Sequence, residues 1–337
     1  MAKNDDWLAR TVEDAIEPDL PIIDPHHHLW DRPGGSRYMI EEVVADAETH
    51  NVRQTVFIEC NSMYRADGPD ALKPVGEAEF VQGIAAQSAS GRWGPARIAA
   101  GIVGSADLLL DDAVPGVLEA LIAASPQRFR GVRHRAAGPD DHPIPGQPEY
   151  RPHLLVDPEF RRGFAHLRRY GLSFEVWILH TDLADAADLA AAFPDTPLVL
   201  NHLGGPIVAD ADADEVFAAW RPKIDAIAAH PNVVVKLGGI QMRVNGFGWH
   251  ERPDPPTSDD LLATNRRWYE YAIEQFGPDR AMFESNFPVD KTSCSYGVLW
   301  NQFKKLSAGF PADERVAMFH DTAARFYRLP LAAESDG

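Results

Sequence analysis

The sequence contains only two cysteines, Cys60 and Cys294, among its 337 residues. Two thiols cannot form the disulfide framework of a small secreted protein, and no paired-cysteine zinc motif is present. The chain also lacks an apolar N-terminal stretch of the signal-peptide kind, and no run approaches the ~20 apolar residues of a transmembrane helix. These absences predict a cytoplasmic protein that has no membrane partner.

Basic residues are scarce, because 32 Lys and Arg face 50 Asp and Glu and give a formal net charge of −18. That charge repels phosphate backbones and anionic lipid surfaces, so no nucleic-acid partner is expected. It does not exclude an acidic small-molecule substrate, since a local group of Arg and His can reverse the potential inside a cleft.

Short apolar segments alternate with segments of helical periodicity along nearly the whole chain, which indicates repeated βαβ units. The predicted strands are residues 21–26, 54–60, 98–103, 129–134, 172–180, 198–202, 233–237 and 281–286. The predicted helices are residues 41–50, 77–90, 114–124, 158–170, 183–193, 213–230 and 258–276, with a closing helical segment at 302–328.

Eight such units match a closed (β/α)₈ TIM barrel of the α/β class. A doubly wound open sheet is the competing architecture, but the segment after the first strand lacks the glycine spacing of a dinucleotide-binding loop. The organisation predicted is an N-terminal extension at 1–19, one barrel domain at 20–330 and a frayed tail at 331–337.

Polar side chains follow most of the predicted strands, at the end of a barrel where active sites are built. His26 and His28 are two apart on one strand and should face the same way, whereas His27 should point elsewhere. A solvated, tag-like run is the alternative reading of three successive histidines. Two further strands end in histidine, at His180 and His202. Four strand-end imidazoles could orient water, exchange protons and polarise a carbonyl, as a hydrolytic site requires.

Four segments, IIDPHHHLW, LVLNHLGGP, VVVKLGG and RAMFESNFPVD, resemble the strand-end motifs of the amidohydrolase superfamily. The resemblance is to its amidohydrolase-2 group, which includes sugar-acid lactonases and pyrone dicarboxylate lactonase, and it runs from residue 21 to 328. It implies a distorted (β/α)₈ barrel that hydrolyses a lactone or a related ester or amide. It also assigns catalytic positions to His26, His28, His180 and His202.

The eighth strand departs from the family pattern, because Asn286 stands where the family has a catalytic or metal-binding Asp. An amide has neither an anionic oxygen nor useful basicity. Asn286 could instead stabilise an oxyanion, with the water activated by another group. Glu284 is the candidate base. Its alternative role, which the residues favour slightly, is as a buried structural partner of Lys236.

The sequence does not decide whether a metal ion is bound. His26, His28 and His180 could hold one divalent ion, with Zn²⁺ as the expected metal and water in the open position. Without the family carboxylate the affinity should fall, and a metal-free site would polarise the carbonyl through the same imidazoles.

Substrate contacts are expected from the rim of the barrel. Arg133, His134 and Arg135 resemble family positions that receive a substrate carboxylate, with His134 on the opposite face from the two arginines. The long insert 241–260 should select the substrate, although Trp249 in it could simply pack the loop. The remaining predicted substrate-binding residues are Glu59, Asn61, Tyr64 and Lys236.

The function predicted is hydrolysis of a small, carboxylated lactone by attack of water on the carbonyl. Two alternatives stay open: a non-oxidative decarboxylase acting on an aromatic or enoic acid, and a weakened binding protein. Homo-oligomers are compatible with the fold, although no segment indicates one.

Overall fold

A computed structural model describes residues 2–138, 151–209 and 211–330. Its centre is one sheet of eight parallel strands whose spatial order follows the chain order. The strands are β1 (Ile22–His27), β2 (Val52–Ile58), β3 (Arg97–Ser105), β4 (Phe129–Arg133), β5 (Ser173–Val176), β6 (Leu198–Leu200), β7 (Val233–Leu237) and β8 (Ala281–Phe283). The eight predicted strands are therefore confirmed, and several of them end earlier than predicted.

The first and last strands meet and nearly close the sheet into a barrel. The backbone N–H of Asn286 donates to His26 O at 2.9 Å, and that of His28 donates to Phe287 O at 2.8 Å. Asp24 strengthens this seam, because its carboxylate accepts from the Ser285 hydroxyl at 2.6 Å and from Tyr296 at 3.0 Å. The single-domain (β/α)₈ barrel is confirmed.

Helices cover the outside of the sheet. They are α1 (Ala2–Leu8), α2 (Ile40–Ala47), α3 (Val75–Ala89), α4 (Val114–Ala124), α5 (Pro158–Phe164), α6 (Leu183–Ala192), α7 (Ala213–Ala228), α8 (Ser258–Phe276), α9 (Tyr296–Leu306), α10 (Ala312–Val316) and α11 (Thr322–Phe326). A π-helical turn, Ala317–Asp321, joins the last two. A two-stranded hairpin, Trp30–Asp31 with Arg37–Tyr38, follows β1. Among the described residues, no helix is both long and apolar enough to cross a membrane.

The barrel interior changes in polarity from one end to the other. Towards the N-terminal ends of the strands it is apolar and is closed by residues from the end of the described chain, including Tyr327 and Leu329. Towards the C-terminal ends it holds a fully buried layer of ionisable side chains from four different strands and their ends: His26, Glu175, Lys236 and Glu284. A polar layer of this kind is costly unless its members pair, so it marks where the chemistry of the barrel lies.

The predicted domain boundaries are not tested by these features. The predicted tail, 331–337, lies outside the described residues. The predicted extension, 1–19, contains α1, in which Leu8 is buried and the Asn4 side chain donates to Lys291 O after β8.

Candidate active site

A cavity of about 720 Å³ opens where the C-terminal ends of the strands converge. Five of the residues predicted from the sequence line it: His28, Arg133, Arg135, His202 and Asn286. Its wall also includes Trp30 and Tyr38 of the hairpin, Trp177 after β5, and Met242, Arg243 and Val244 of the long insert. Imidazoles from β1 and from the end of β6 thus meet around one pocket.

Glu284 joins two histidines beneath the cavity floor. Its Oε1 accepts from His202 Nδ1 at 2.7 Å, and its Oε2 lies 2.7 Å from His26 Nδ1. The rings of His26 and His202 are correspondingly close, with centroids 4.6 Å apart. His202 Nδ1 faces this carboxylate oxygen, which leaves the lone pair of its ring on Nε2, whereas His26 Nδ1 also lies 3.3 Å from Lys236 Nζ.

Lys236 has a different partner from the one predicted. Its ammonium donates to Glu175 Oε2 at 2.8 Å, while Glu284 is occupied by the two imidazoles. The predicted Lys236–Glu284 pair is therefore wrong. Sequence could not select between two buried carboxylates, because Glu175 and Glu284 both lie on strands or strand ends of the barrel interior.

Two glycines after β7 make room for this arrangement. A Cβ on Gly239, which has φ +65°, would lie 1.8 Å from His202 Nδ1, and a Cβ on Gly238 would lie 2.2 Å from Glu284 O. Distances this short are incompatible with any side chain. The glycine pair in VVVKLGG is thus explained by the close approach of His202 and Glu284.

The imidazoles of the site are held neutral. Burial lowers the pKa of His26, His28 and His202, and for His26 and His202 the nearby Lys236 ammonium acts in the same direction. Glu284 opposes the shift at His202 without reversing it. Neutral imidazole is the form that accepts a proton or binds a metal, so the site is prepared for either task near neutral pH.

Asn286 lies between His28 and a second buried carboxyl group. Its Oδ1 is 3.3 Å from His28 Nε2, and its Nδ2 donates to Asp290 Oδ1 at 2.9 Å. Burial raises the pKa of Asp290 well above its ordinary value. His28 itself is fixed from behind, since its Nδ1 lies 2.8 Å from Ile58 O. A carboxyl group is therefore present near this position, one layer behind the amide and four residues later in the chain.

Two arginines at the end of β4 share one carboxylate. Arg133 Nε and Arg135 Nε donate to Glu59 Oε1 at 2.6 and 2.9 Å. Burial alone would raise the pKa of Glu59, but the two guanidinium groups more than offset it and hold the pKa at about 2. One positive charge is left over at the cavity wall, in a chain whose formal charge is −18.

Glu77 of α3 supports the loop that follows β2. Its Oε1 accepts from the backbone N–H groups of Cys60 at 3.0 Å and Ser62 at 2.7 Å. Burial, together with repulsion from Glu59, raises the pKa of Glu77 to about 8. A neutral carboxyl group therefore anchors the loop through the pH range below that value.

Replacing Glu77 with Gln should change how stability depends on pH. Because the folded-state pKa of about 8 lies above the ordinary value of 4.5, the wild-type chain loses stability as pH rises through this window. Gln cannot release the proton. Relative to wild type, we expect the free energy of unfolding of Glu77→Gln to rise by roughly 1–3 kcal/mol between about pH 5 and pH 8, measured by urea denaturation. Glu79→Gln, on the exposed face of α3, should show no such trend, and parallel curves for all three proteins would contradict the interpretation.

His180 is not among the residues that line the cavity. Strand β5 ends at Val176 instead of continuing to residue 180 as predicted, and His180 begins a short 3₁₀ turn before α6. Its Nδ1 lies 3.4 Å from Ile207 N, and its carbonyl accepts from Lys223 Nζ at 2.8 Å. The strand-five residue that faces the site is Trp177, whose ring centroid is 4.7 Å from that of His202.

Other predicted substrate-binding residues also lie away from the cavity lining. His134 takes the face opposite Arg133 and packs against Phe160, as alternation along the strand requires. Tyr64 donates to Asn61 at 2.9 Å in the loop after β2. Trp249 is buried within the insert, beside Arg252. His27 is held by Thr55 on the neighbouring strand, at 2.8 Å.

The donor set best placed for a metal ion is His26, His202 and Glu284, whose ligand atoms lie within 4.8 Å of one another. It shares only His26 with the predicted set. Two imidazoles and one carboxylate are a donor combination that zinc favours. The Nε2 atom of His26 is buried and has no hydrogen-bond partner among the described residues, which fits a ligand position.

Comparison with known proteins places these features in context. A family model described as "Amidohydrolase" matches residues 23–329. The chain is 34% identical to an uncharacterised protein, y4mH, of Sinorhizobium fredii, over 92% of this chain and 99% of that one. It is 31% identical to an L-fucono-1,5-lactonase of Burkholderia multivorans, over 79% of this chain and 88% of the relative. A crystal structure of an amidohydrolase from Burkholderia multivorans with bound Zn aligns at TM-score 0.71 and 26% identity, covering 92% of this chain and 99% of the other.

Proposed function

Because this chain belongs to the amidohydrolase family and is a hydrolase, we propose that it opens a small lactone that carries a carboxylate. Relatives named as lactonases support the reaction class. The carboxylate is argued from the cavity wall, where Arg133 and Arg135 share the single carboxylate of Glu59. A guanidinium group can bind such an anion through two parallel hydrogen bonds.

His202 is the residue we propose for proton transfer. It lines the cavity while its Nδ1 is held by Glu284, so Nε2 is the ring nitrogen that can take a proton from the attacking water. Glu284 stabilises the imidazolium that forms, in the manner of an acid–histidine pair. Asn286 lines the cavity, and the second N–H of its amide, beside the one that donates to Asp290, would donate to the oxygen that becomes negative.

A metal, if bound, would be held by His26, His202 and Glu284, the donor set described above. Such an ion would supply a Lewis acid that polarises the lactone carbonyl and lowers the pKa of bound water. The roles of Arg135 and of Asn286 do not depend on it.

The experiment is a turnover assay on a panel of lactones, esters and phenolic acids, with metal content measured before and after chelation. Lactone turnover is the expected result. Release of carbon dioxide from the phenolic acids, or binding without turnover, would contradict the proposal. If chelation removes about one equivalent of zinc and activity is lost with it, the ion takes part in the reaction. If activity is fully retained after chelation, the imidazoles carry out the reaction without an ion.

Replacing Arg135 with Gln tests the carboxylate contact. Charge-assisted hydrogen bonds contribute about 1.5–3 kcal/mol, so KM for a carboxylated lactone should rise roughly 10- to 100-fold. KM for an uncharged lactone should change little. Arg130→Gln is the matched control, because Arg130 lies on β4, outside the cavity lining, and donates to backbone carbonyls. Equal effects of Arg135→Gln on charged and uncharged lactones would exclude a carboxylate-binding role.

A further inference from the structure

The N-terminal segment forms part of the cavity wall. Asn4 and Asp5 of α1 line the same cavity as His28 and His202, although they are distant from them in the chain. Asn4 Nδ2 donates to the backbone carbonyl of Lys291 at 2.9 Å, which fixes α1 against the loop after β8. The match to the family model begins only at residue 23, so this part of the wall lies outside the residues that the model matches.

Contacts along the segment hold α1 in place. The indole N–H of Trp7 lies 3.1 Å from Pro253 O, and the Thr11 hydroxyl donates to Pro255 O at 3.0 Å, so the segment is attached to the long insert. Further on, Ile16 N donates to Asn301 Oδ1 at 2.9 Å. Because these contacts reach both the insert and α9, the wall is defined by tertiary structure as well as by local helix formation.

Asp5 differs from the other acidic residues of the cavity in having a free carboxylate. The Asp46 carboxylate accepts from Lys291 Nζ at 2.9 Å and from the Tyr38 hydroxyl at 2.8 Å, and Glu42 is paired with Arg37. Within the described residues, the side chain of Asp5 has no hydrogen-bond or ion-pair partner. An anionic acceptor that faces a substrate cavity without an internal partner is available to a ligand.

The charges of the other lining residues indicate which kind of substrate group would donate to Asp5. Six cationic side chains line the cavity and only three acidic ones, which makes it unfavourable for a cationic substrate. The cationic residues are Arg32, Arg37, Arg133, Arg135, Arg243 and Lys291, and the acidic ones are Asp5, Glu42 and Asp46. A neutral hydroxyl group satisfies the Asp5 carboxylate without adding positive charge to such a cavity.

We propose that Asp5 is a specificity-determining residue that accepts hydrogen bonds from hydroxyl groups of the substrate. This rests on the proposed lactone hydrolysis and narrows it: the preferred lactone carries hydroxyl groups at the end that reaches α1 and a carboxylate at the end that reaches Arg135. Asn4 acts as a positioning residue, because its amide holds α1 against residue 291.

The test compares Asp5→Ala and Asp5→Asn with wild type and with Asp6→Ala in the full-length chain. Asp6 is the adjacent exposed acid and does not line the cavity, so it controls for charge and for helix stability. Turnover is measured on glucarolactone and on γ-butyrolactone-γ-carboxylate, which lacks the hydroxyl groups. Binding of glucarate and adipate, six-carbon diacids with and without hydroxyl groups, is measured by calorimetry, and thermal midpoints check folding.

We expect wild type and Asp6→Ala to prefer the hydroxylated member of each pair. Asp5→Ala should reduce that preference about 10-fold or more, through a higher KM for the hydroxylated lactone. Asp5→Asn, which keeps an acceptor oxygen, should lose less of the preference for the hydroxylated lactone. Unchanged selectivity in Asp5→Ala would overturn the proposal, as would equal losses of selectivity in Asp5→Asn and Asp5→Ala, because an acceptor oxygen at residue 5 would then make no difference. If wild type hydrolyses neither lactone, lactone hydrolysis fails, and the glucarate–adipate comparison still decides the role of Asp5.

Discussion

Glu284→Gln is expected to lower kcat by about 10²- to 10⁴-fold, the range typical of lost general acid–base catalysis. Glu284 presents two acceptor oxygens to His26 Nδ1 and His202 Nδ1. Glutamine has one oxygen and one NH₂ group, so one ring would face a donor with its own N–H. If the NH₂ group faces His202, that ring must change tautomer and loses the Nε2 lone pair used in catalysis; if it faces His26, His202 keeps the lone pair but loses the anionic partner that stabilises its imidazolium.

The control for this change is Glu270→Gln, which removes an exposed carboxylate from an i,i+4 pair with Arg266 on α8. It should leave kcat unchanged. Metal content and thermal midpoint are measured in parallel, so that loss of an ion or of folding is distinguished from loss of proton transfer. A Glu284→Gln enzyme that is folded and retains more than a third of wild-type kcat would refute the proposed role of the Glu284–His202 pair.

Gly239→Ala is expected to abolish turnover and to destabilise the chain. The new methyl group would lie 1.8 Å from His202 Nδ1, and both residues are held by the barrel. Either the His202 ring leaves Glu284 or the loop after β7 moves, and both outcomes separate the groups that must act together. A rearrangement of this kind in a packed interior costs about 1–3 kcal/mol, so the thermal midpoint should fall together with at least a roughly 100-fold loss of kcat/KM.

Gly171→Ala separates the contact with His202 from backbone strain. Gly171 has φ +62° in the left-handed helical region, similar to the +65° of Gly239, but its added Cβ would meet no atom within 4 Å. Both variants carry the cost of a left-handed alanine, about 1–2 kcal/mol. Only Gly239→Ala should lose activity. Equal losses of stability and activity in the two variants would show that backbone strain alone explains the effect.

Sequence reasoning predicted the barrel well because its strands are buried on both faces. Segments such as VVVKL read as continuous apolar runs between helical segments, and eight of them leave few alternatives to a closed sheet. The ends of the strands were predicted less well. The chain leaves the extended conformation before the functional residues are reached, with left-handed φ values of +54° at His202 and +55° at Asn286. Local propensity gives no sign of such turns at non-glycine residues.

The candidate site was predicted only in part, because alternation holds within the strands and fails where the chain turns after them. His26 and His28 lie within or directly after a regular strand, where alternation holds, and both belong to the site. His180 was placed by extending β5 too far, whereas the chain turns after Val176 and presents Trp177. Asp290 was missed because it follows the eighth strand in a 3₁₀ turn. Asp5 was missed because nothing local connects an N-terminal helix with the mouth of the barrel.

The Asn286–Asp290 contact also constrains what an aspartate at residue 286 would do. A carboxyl group there would lie about as close to Asp290 as the 2.9 Å that now separates the amide from it. Two buried carboxyl groups at that distance cannot both ionise, and one would keep its proton. An aspartate at residue 286 would therefore bring at most one negative charge to the pair, whereas the present amide donates a hydrogen bond to Asp290.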